Sequence, residues 1–269
     1  MNSGCTGQSV MSEAYQDIAI GFAIGLFFLI APALWVWGSR NAALSLLKHV
    51  FPLTSTGAWR PLVHVRASMD QIVFGSNPPT MRGYTHSCDV QAVIRAFEAL
   101  EKLPARIEFD YFPEIKAEMK NVIIVGCSSR SSVSNDLGRE LNRRNIRVHG
   151  KDEHAYFREP SGDEFHCEHI ESEGRSIVSK DAAVVMRKVS ENGMTILLCG
   201  GLHTQGSLAA MEVALSSEFQ RKVRKRGLKQ FVQFVTVECV VSGPKAGLGI
   251  VRQGVSWKNL PLIDLDDGR

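Results

Sequence analysis

The sequence contains no CxxC pair. Its six cysteines, Cys5, Cys88, Cys127, Cys167, Cys199 and Cys239, are scattered along 269 residues. That spacing excludes a disulfide framework and reads as reduced thiols, three of them in or beside apolar runs. Charge of one sign is not in excess either, with 31 basic against 28 acidic residues, so the chain as a whole does not bind polyanions by bulk electrostatics. There is no internal repeat, no long low-complexity tract, and neither GxGxxG nor GxxxxGKS/T, which excludes the familiar dinucleotide and Walker motifs. Basic residues interleaved with aromatics are also missing, so no nucleic-acid partner is expected.

One further absence fixes location. Met1 to Asp17 holds no lysine or arginine, and from Ile18 to Trp37 "IAIGFAIGLFFLIAPALWVW" runs for 20 residues without a charge. As a helix it reaches roughly 30 Å, the thickness of the hydrocarbon core. A cleaved signal peptide would want a basic start and a shorter apolar region, so an uncleaved anchor at 18–38 is expected. Trp35 and Trp37 suit an interfacial belt, and Arg40, Lys48, Arg60 and Arg66 follow the span. The positive-inside rule then puts the C-terminal side in the cytoplasm of an inner or plasma membrane, with a short N-terminus, 1–17, outside.

The remainder has length for one α/β domain with accessory segments, or for two small domains. Residues 39–116 are mixed and read as a juxtamembrane or accessory region. "NAALSLLKHVF" could lie on a membrane surface, "PLVHVRASMDQIVFG" alternates as one or two strands, and "SNPPTMRG" breaks regular structure. "DVQAVIRAFEALEKL" predicts a helix with Asp89 as N-cap. Residues 117–269 carry the sharper pattern. "NVIIVG" is a short buried strand ended by glycine, a polar loop "CSSRSSVSN" follows, "DLGRELNRRN" is helical, and "IRVHG" is a strand. "AYFREPSGDEFHCEHI" is a hairpin around Ser161 and Gly162, and "AAVVMRKV" is another strand. "MTILLCGG" then repeats the layout of strand, glycine, polar loop and helix, ending in "GSLAAMEVALSS". "FVQFVTVECVV" and "LGIVRQGVSW" pair as an antiparallel hairpin. The expected fold is α/β, a Rossmann-like, mostly parallel sheet with a C-terminal antiparallel hairpin, preceded by one transmembrane helix.

Loops that leave the carboxyl ends of parallel strands gather along one sheet edge, where ligands sit. Glycine lets backbone amides approach a ligand, and the N-terminus of the next helix attracts an anion. One wall of such a cradle would be Gly126, Ser128, Ser129, Arg130, Ser131 and Asn135. The other would be Gly200, Gly201, His203, Thr204, Gln205, Gly206 and Ser207. A second reading of the same residues is that Gly126, Gly200 and Gly201 permit tight turns, with Ser128, Ser131 and Ser207 as helix caps.

"NVIIVGCSSRSSVSNDLGREL" and "ILLCGGLHTQGSLAAMEVAL" resemble the two nucleotide-handling loops of the SLOG/STALD superfamily, Rossmann-like modules related to the LOG and Smf/DprA proteins. The resemblance covers about residues 117–260. It implies a domain that binds a nucleotide-derived signal and controls an effector in the same chain, as in bacterial defence systems. The enzymatic branch carries GGxGTxxE. Here four residues separate Gly201 from Gly206, position three after Ser207 is Ala210, and Glu212 falls roughly on the opposite helix face. The hydrolytic carboxylate is missing on this reading, which leaves binding without turnover, possible homo-oligomerisation, and no cofactor beyond the ligand.

Two other functions stay open. A hydrolase acting on an N-glycosidic or phosphoester bond would use His203 or Glu212 as acid or base, and a membrane tether would use the sheet domain to hold another protein. No metal is expected. His166 and His169 lie three apart and diverge if the segment is a strand, His149 and His154 are upstream, and a clear third ligand is lacking. Cys127 and Cys199 suit buried packing better than catalysis. The basic run over 221–229, with Arg221, Lys222, Arg224, Lys225, Arg226 and Lys229, reads as a solvated helix end that could touch anionic lipid.

Overall fold

The computed structural model describes residues 28–51 in part, 62–67, 70–74, 80–84, 87–101, 106–109, 121–126, 147–149, 156–172, 175–190, 193–242 and 249–266. Most of the apolar run at 18–38, the expected helix "DLGRELNRRN", Cys127, His154, and Ser128, Ser129, Arg130, Ser131 and Asn135 lie outside the described residues. The chain divides into two compact units, Met1–Ser45 and Leu46–Arg269. In the first, the described residues are helical, and Phe28, Ile30 and Leu34 expose 70%, 44% and 60% of their surface. Among the described residues no helix is long and apolar enough to cross a membrane.

In the second unit the elements run β1 (Leu62–Ala67), β2 (Asp70–Phe74), β3 (Thr80–Tyr84), α1 (Ser87–Glu101), β4 (Arg106–Phe109), β5 (Asn121–Val125), β6 (Arg147–His149), β7 (Tyr156–Arg158) and β8 (Glu164–His166). They continue with β9 (Glu168–Ser172), β10 (Arg175–Val189), β11 (Thr195–Gly201), α2 (Thr204–Leu215), α3 (Ser217–Arg226), β12 (Phe231–Ser242), β13 (Gly249–Ser256) and β14 (Leu262–Asp264). The main sheet has the order β13-β12-β10-β11-β5-β1-β4, with β9 on β10 and β14 on β12. It is α/β as expected, but mixed rather than mostly parallel. The pairs β11–β5, β5–β1 and β1–β4 are parallel, and every pair from β10 outward is antiparallel.

The reason is local. β10 and β11 are joined by the tight turn Ser190–Met194, closed by the Ser190 N–H to Met194 O bond at 2.8 Å and by Gly193 at φ +77°. A connection that short can only return antiparallel, since a parallel neighbour needs a long crossover. β12 and β13 form the expected antiparallel pair. "TMRG", read as a break, is part of β3 and pairs with β2. β6 joins β7 and β8 in a small separate sheet. β1, α1 and β4 fall in the stretch read as an accessory region, yet β1 and β4 complete the main sheet beside β5.

The sheet buries both faces. On one, Val122, Ile124, Ala182, Val184, Met186, Ile196, Leu198, Val232 and Phe234 pack with Phe157 and Phe165 of the small sheet. The other is covered by α2, which touches β10, β11 and β12 and is itself backed by α1. Helix α2 buries eight of its 12 residues, so its apolar composition reflects a helix sandwiched between layers rather than an amphipathic surface helix. Asp89 lies within the first turn of α1, almost fully buried, rather than at the expected cap position.

The α2–α3 corner shows how side chains end one helix and start the next. Ser216 Oγ accepts from the Phe219 N–H at 3.3 Å, and Gln220 Nε2 donates to the last carbonyls of α2, Ala214 O at 3.0 Å and Leu215 O at 3.1 Å. Gly227, in the left-handed region at φ +68°, ends α3. Ser216→Ala is expected to lower stability by about 1 kcal/mol, read as a shift in chemical denaturation midpoint at unchanged slope.

Candidate functional site

β5 and β11 are parallel neighbours, with Val125 opposite Cys199. Their carboxyl ends therefore lie side by side, and the first residue past β5 continues the ladder: the Gly126 N–H donates to Cys199 O at 2.9 Å. Gly126 has φ +92°, so the chain leaves β5 through a conformation that favours glycine. Both glycine-bearing turns thus begin at one point of one sheet edge.

The turn after β11 is organised by a residue that sequence patterning passed over. Asp181 of β10 is fully buried. Its Oδ1 accepts from the His203 N–H at 3.0 Å and its Oδ2 from the Gly206 N–H at 2.6 Å. A further amide is taken within the loop, where Gly201 N–H donates to Ser207 Oγ at 3.1 Å. The antiparallel register of β10 with β11, Ala183 opposite Gly201, carries on through the Leu202 N–H to Ala182 O bond at 2.8 Å. Asp181 is delivered to His203 by that register. His203, the N-cap position of α2, supplies no side-chain cap; the cap comes from the neighbouring strand.

The glycines are explained by the same packing. A Cβ on Gly201 would lie 2.3 Å from His203 O and 2.6 Å from Ser207 N, and one on Gly206 would lie 2.8 Å from Asp181 Oδ2. Both positions need glycine because the turn folds against itself and against the carboxylate. Of the residues expected to form the second wall, Gly200, Gly201, Gly206 and Ser207 are buried, and His203, Thr204 and Gln205 are half-exposed. The amides of Gly201, His203 and Gly206 are engaged by the chain's own side chains.

Burial pushes the Asp181 carboxyl up to about 7, against the pull of the Gly206, His203 and Ala182 N–H groups; Asp89, a second buried carboxylate, adds to the rise. The Cys167 thiol is pushed up to about 12 by burial, with the Asp181 charge next in weight. It is therefore a neutral thiol near pH 7, with little nucleophilic character.

Cys167 and His203 meet at Asp181 for a topological reason. Lys180 pairs with Glu238 of β12 on one side and Glu168 of β9 on the other, so β9 and β11 lie end to end along the same edge of β10. A bulge at Val178–Lys180 adjusts the register there. Cys167 precedes β9, His203 follows β11, and the two ends come together. His169, two residues from Cys167 and so on its side of the strand, brings its ring to 5.0 Å from that of His203, edge to face.

His166 and His169 diverge as expected. His166 stacks on Tyr156 at 4.7 Å and bonds Glu164 Oε2 at 2.9 Å, in an exposed cluster that includes Arg158. The signals for the inner cluster were present: the two-residue spacing of Cys167 and His169, and a lone aspartate at the head of "AAVVM". Glu212 lies eight positions past Thr204, about 12 Å along the helix axis, too far to work with the turn. In the basic run, Lys222 Nζ donates to Lys258 O at 3.1 Å and lies over the Trp257 ring, and Arg226 bonds Leu262 O at 2.9 Å. Arg221, Arg224 and Lys225 remain exposed.

No family model, curated protein or solved structure matches the chain. Asp181→Ala, which leaves the buried Gly206 N–H and the part-buried His203 N–H without acceptors, is expected to cost about 2–4 kcal/mol. Asp181→Asn, which keeps one acceptor, should cost less. Gly206→Ala should destabilise by about 1–3 kcal/mol through overpacking. Denaturation of the three variants beside the parent orders these effects.

Proposed function

We propose that this chain is a single-pass membrane protein whose cytoplasmic α/β unit binds a nucleotide or nucleotide-derived signal across the carboxyl ends of β5 and β11. The observation that carries the reading is the Gly126 N–H to Cys199 O bond, which starts both glycine-bearing turns at the same edge of adjacent parallel strands. The resemblance of the two loops to SLOG/STALD modules points the same way. The anchor is the uncharged run from Ile18 to Trp37, within which Phe28, Ile30 and Leu34 are exposed apolar residues.

The division of labour follows from Asp181. Its carboxylate occupies the position at the N-terminus of α2 where a phosphate would otherwise be attracted. A phosphate there would have to displace the Asp181 oxygens from the His203 and Gly206 N–H groups. Phosphate recognition therefore falls to the first loop, with Arg130 as the charged fork and Ser128, Ser129, Ser131 and Asn135 as polar partners. Thr204 and Gln205, half-exposed on the second turn, supply hydrogen bonds for sugar hydroxyls or base edges. Binding changes self-association or the set of the anchor helix. Cleavage of the ligand is not favoured, because Glu212 stands two turns away from the loop.

Calorimetry of the full chain in detergent against ADP-ribose, cyclic nucleotides and mononucleotides should give saturable binding to at least one. Arg130→Ala and Gln205→Ala should each weaken it about tenfold or more. Silence across the panel, together with no adenine-containing species released from the purified protein in mass spectrometry, would overturn the reading. Alkaline extraction should leave the chain in the membrane pellet, and its release into the supernatant would remove the anchor.

A further inference from the structure

We infer that Cys167, His169 and His203 form a binding site for a zinc-class divalent metal, with one coordination position left for water or an incoming ligand. The donor atoms of these side chains all lie within 4.8 Å of one another, and Cys167 Sγ stands 4.0 Å from His169 Nδ1. In a tetrahedral zinc site, bonds of about 2.3 Å to sulfur and about 2.0 Å to nitrogen set the donors about 3.3–3.6 Å apart. The difference is a contraction of about 1.5 Å or less, within reach of side-chain rotation. Thiolate and imidazole donors in this ratio suit zinc and its spectroscopic substitute cobalt, rather than magnesium or calcium.

Two independent features support the assignment. The first is convergence: the three residues come from the start of β9 and the end of β11, and the end-to-end placement of those strands along β10 brings them together. The second is rigidity. Asp181 holds the His203 backbone N–H at 3.0 Å, so the residue that arrives by a loop is positioned as firmly as the two that flank a strand.

Binding is an exchange at sulfur. The Cys167 S–H bond breaks, its proton leaves to solvent, and the sulfur lone pair forms the bond to the metal. Cys167 is buried while His169 and His203 are half-exposed. Three protein donors with an open fourth position is the arrangement of metal centres that polarise a bound water or substrate, not of closed structural sites. The site does not rest on nucleotide binding, although His203 belongs to the turn named there.

The test is cobalt titration of the chelator-stripped full chain. Expected are intense visible d–d bands of a tetrahedral ion and a thiolate-to-cobalt charge-transfer band in the near ultraviolet, both bleached by zinc. Cys167→Ser should abolish the charge-transfer band. His169→Ala and His203→Ala should weaken zinc binding about a hundredfold or more, each checked for folding by circular dichroism. His166→Ala, on the exposed cluster, should leave the titration unchanged. A parent protein that shows no charge-transfer band at saturating cobalt overturns the site without any variant having to fold. So does zinc affinity that survives loss of His169 and His203. Running the nucleotide calorimetry with chelator present keeps failure of one site distinct from failure of the other.

Discussion

The buried carboxylate of Asp181 is the constraint on which the site depends. It sits where three pieces of chain meet: the end of β11, the start of β9 and the N-terminus of α2. A helix N-terminus inside a protein needs an acceptor for its free N–H groups. Most helices find one in a local serine, threonine, aspartate or asparagine. Here the N-cap residue is a histidine whose side chain does not cap, and the acceptor comes from the adjacent strand. The consequence is that strand register, helix start and loop conformation are fixed together, by two hydrogen bonds from one side chain.

That arrangement changes what the glycine-rich turn can do. Free N–H groups and a helix dipole would make it an anion cradle, but the Asp181 carboxyl already takes those N–H groups. Gly206 is glycine because no side chain fits between the turn and Asp181, and Gly201 because a Cβ there would meet the turn's own backbone. What remains half-exposed is a pair of polar side chains, Thr204 and Gln205, while the His203 ring packs edge to face on His169.

Much of this architecture was legible in the sequence. "NVIIVG", "MTILLCGG", the helix after it and the C-terminal hairpin were readable because a short apolar run ended by glycine, and alternation at period two, are local consequences of burial. Antiparallel pairing of β10 and β11 was written in Asn192–Gly193, a dipeptide that favours tight hairpins, whereas the alternation of strands and helices pointed to parallel neighbours. The part of the sheet contributed by β1 and β4 was hidden by short strands in a stretch of mixed character. The role of Asp181 was hidden because a charged pair, Lys180–Asp181, before an apolar run looks like a solvent-facing end, and it appears only when β11 is placed beside it. His169 was weighed with His166, three away, when its partner on the same side of the strand is Cys167, two away.

The most direct measurement is residue-resolved amide hydrogen exchange at His203 and Gly206 in protein free of nucleotide and metal. Both N–H groups should exchange slowly, near the rate of the β11 amides, and Asp181→Asn should release at least one of them. Fast exchange at both in the parent protein, slowed only when a phosphate-bearing ligand is added, would show that the turn holds its amides open for an anion and that the carboxylate does not occupy them.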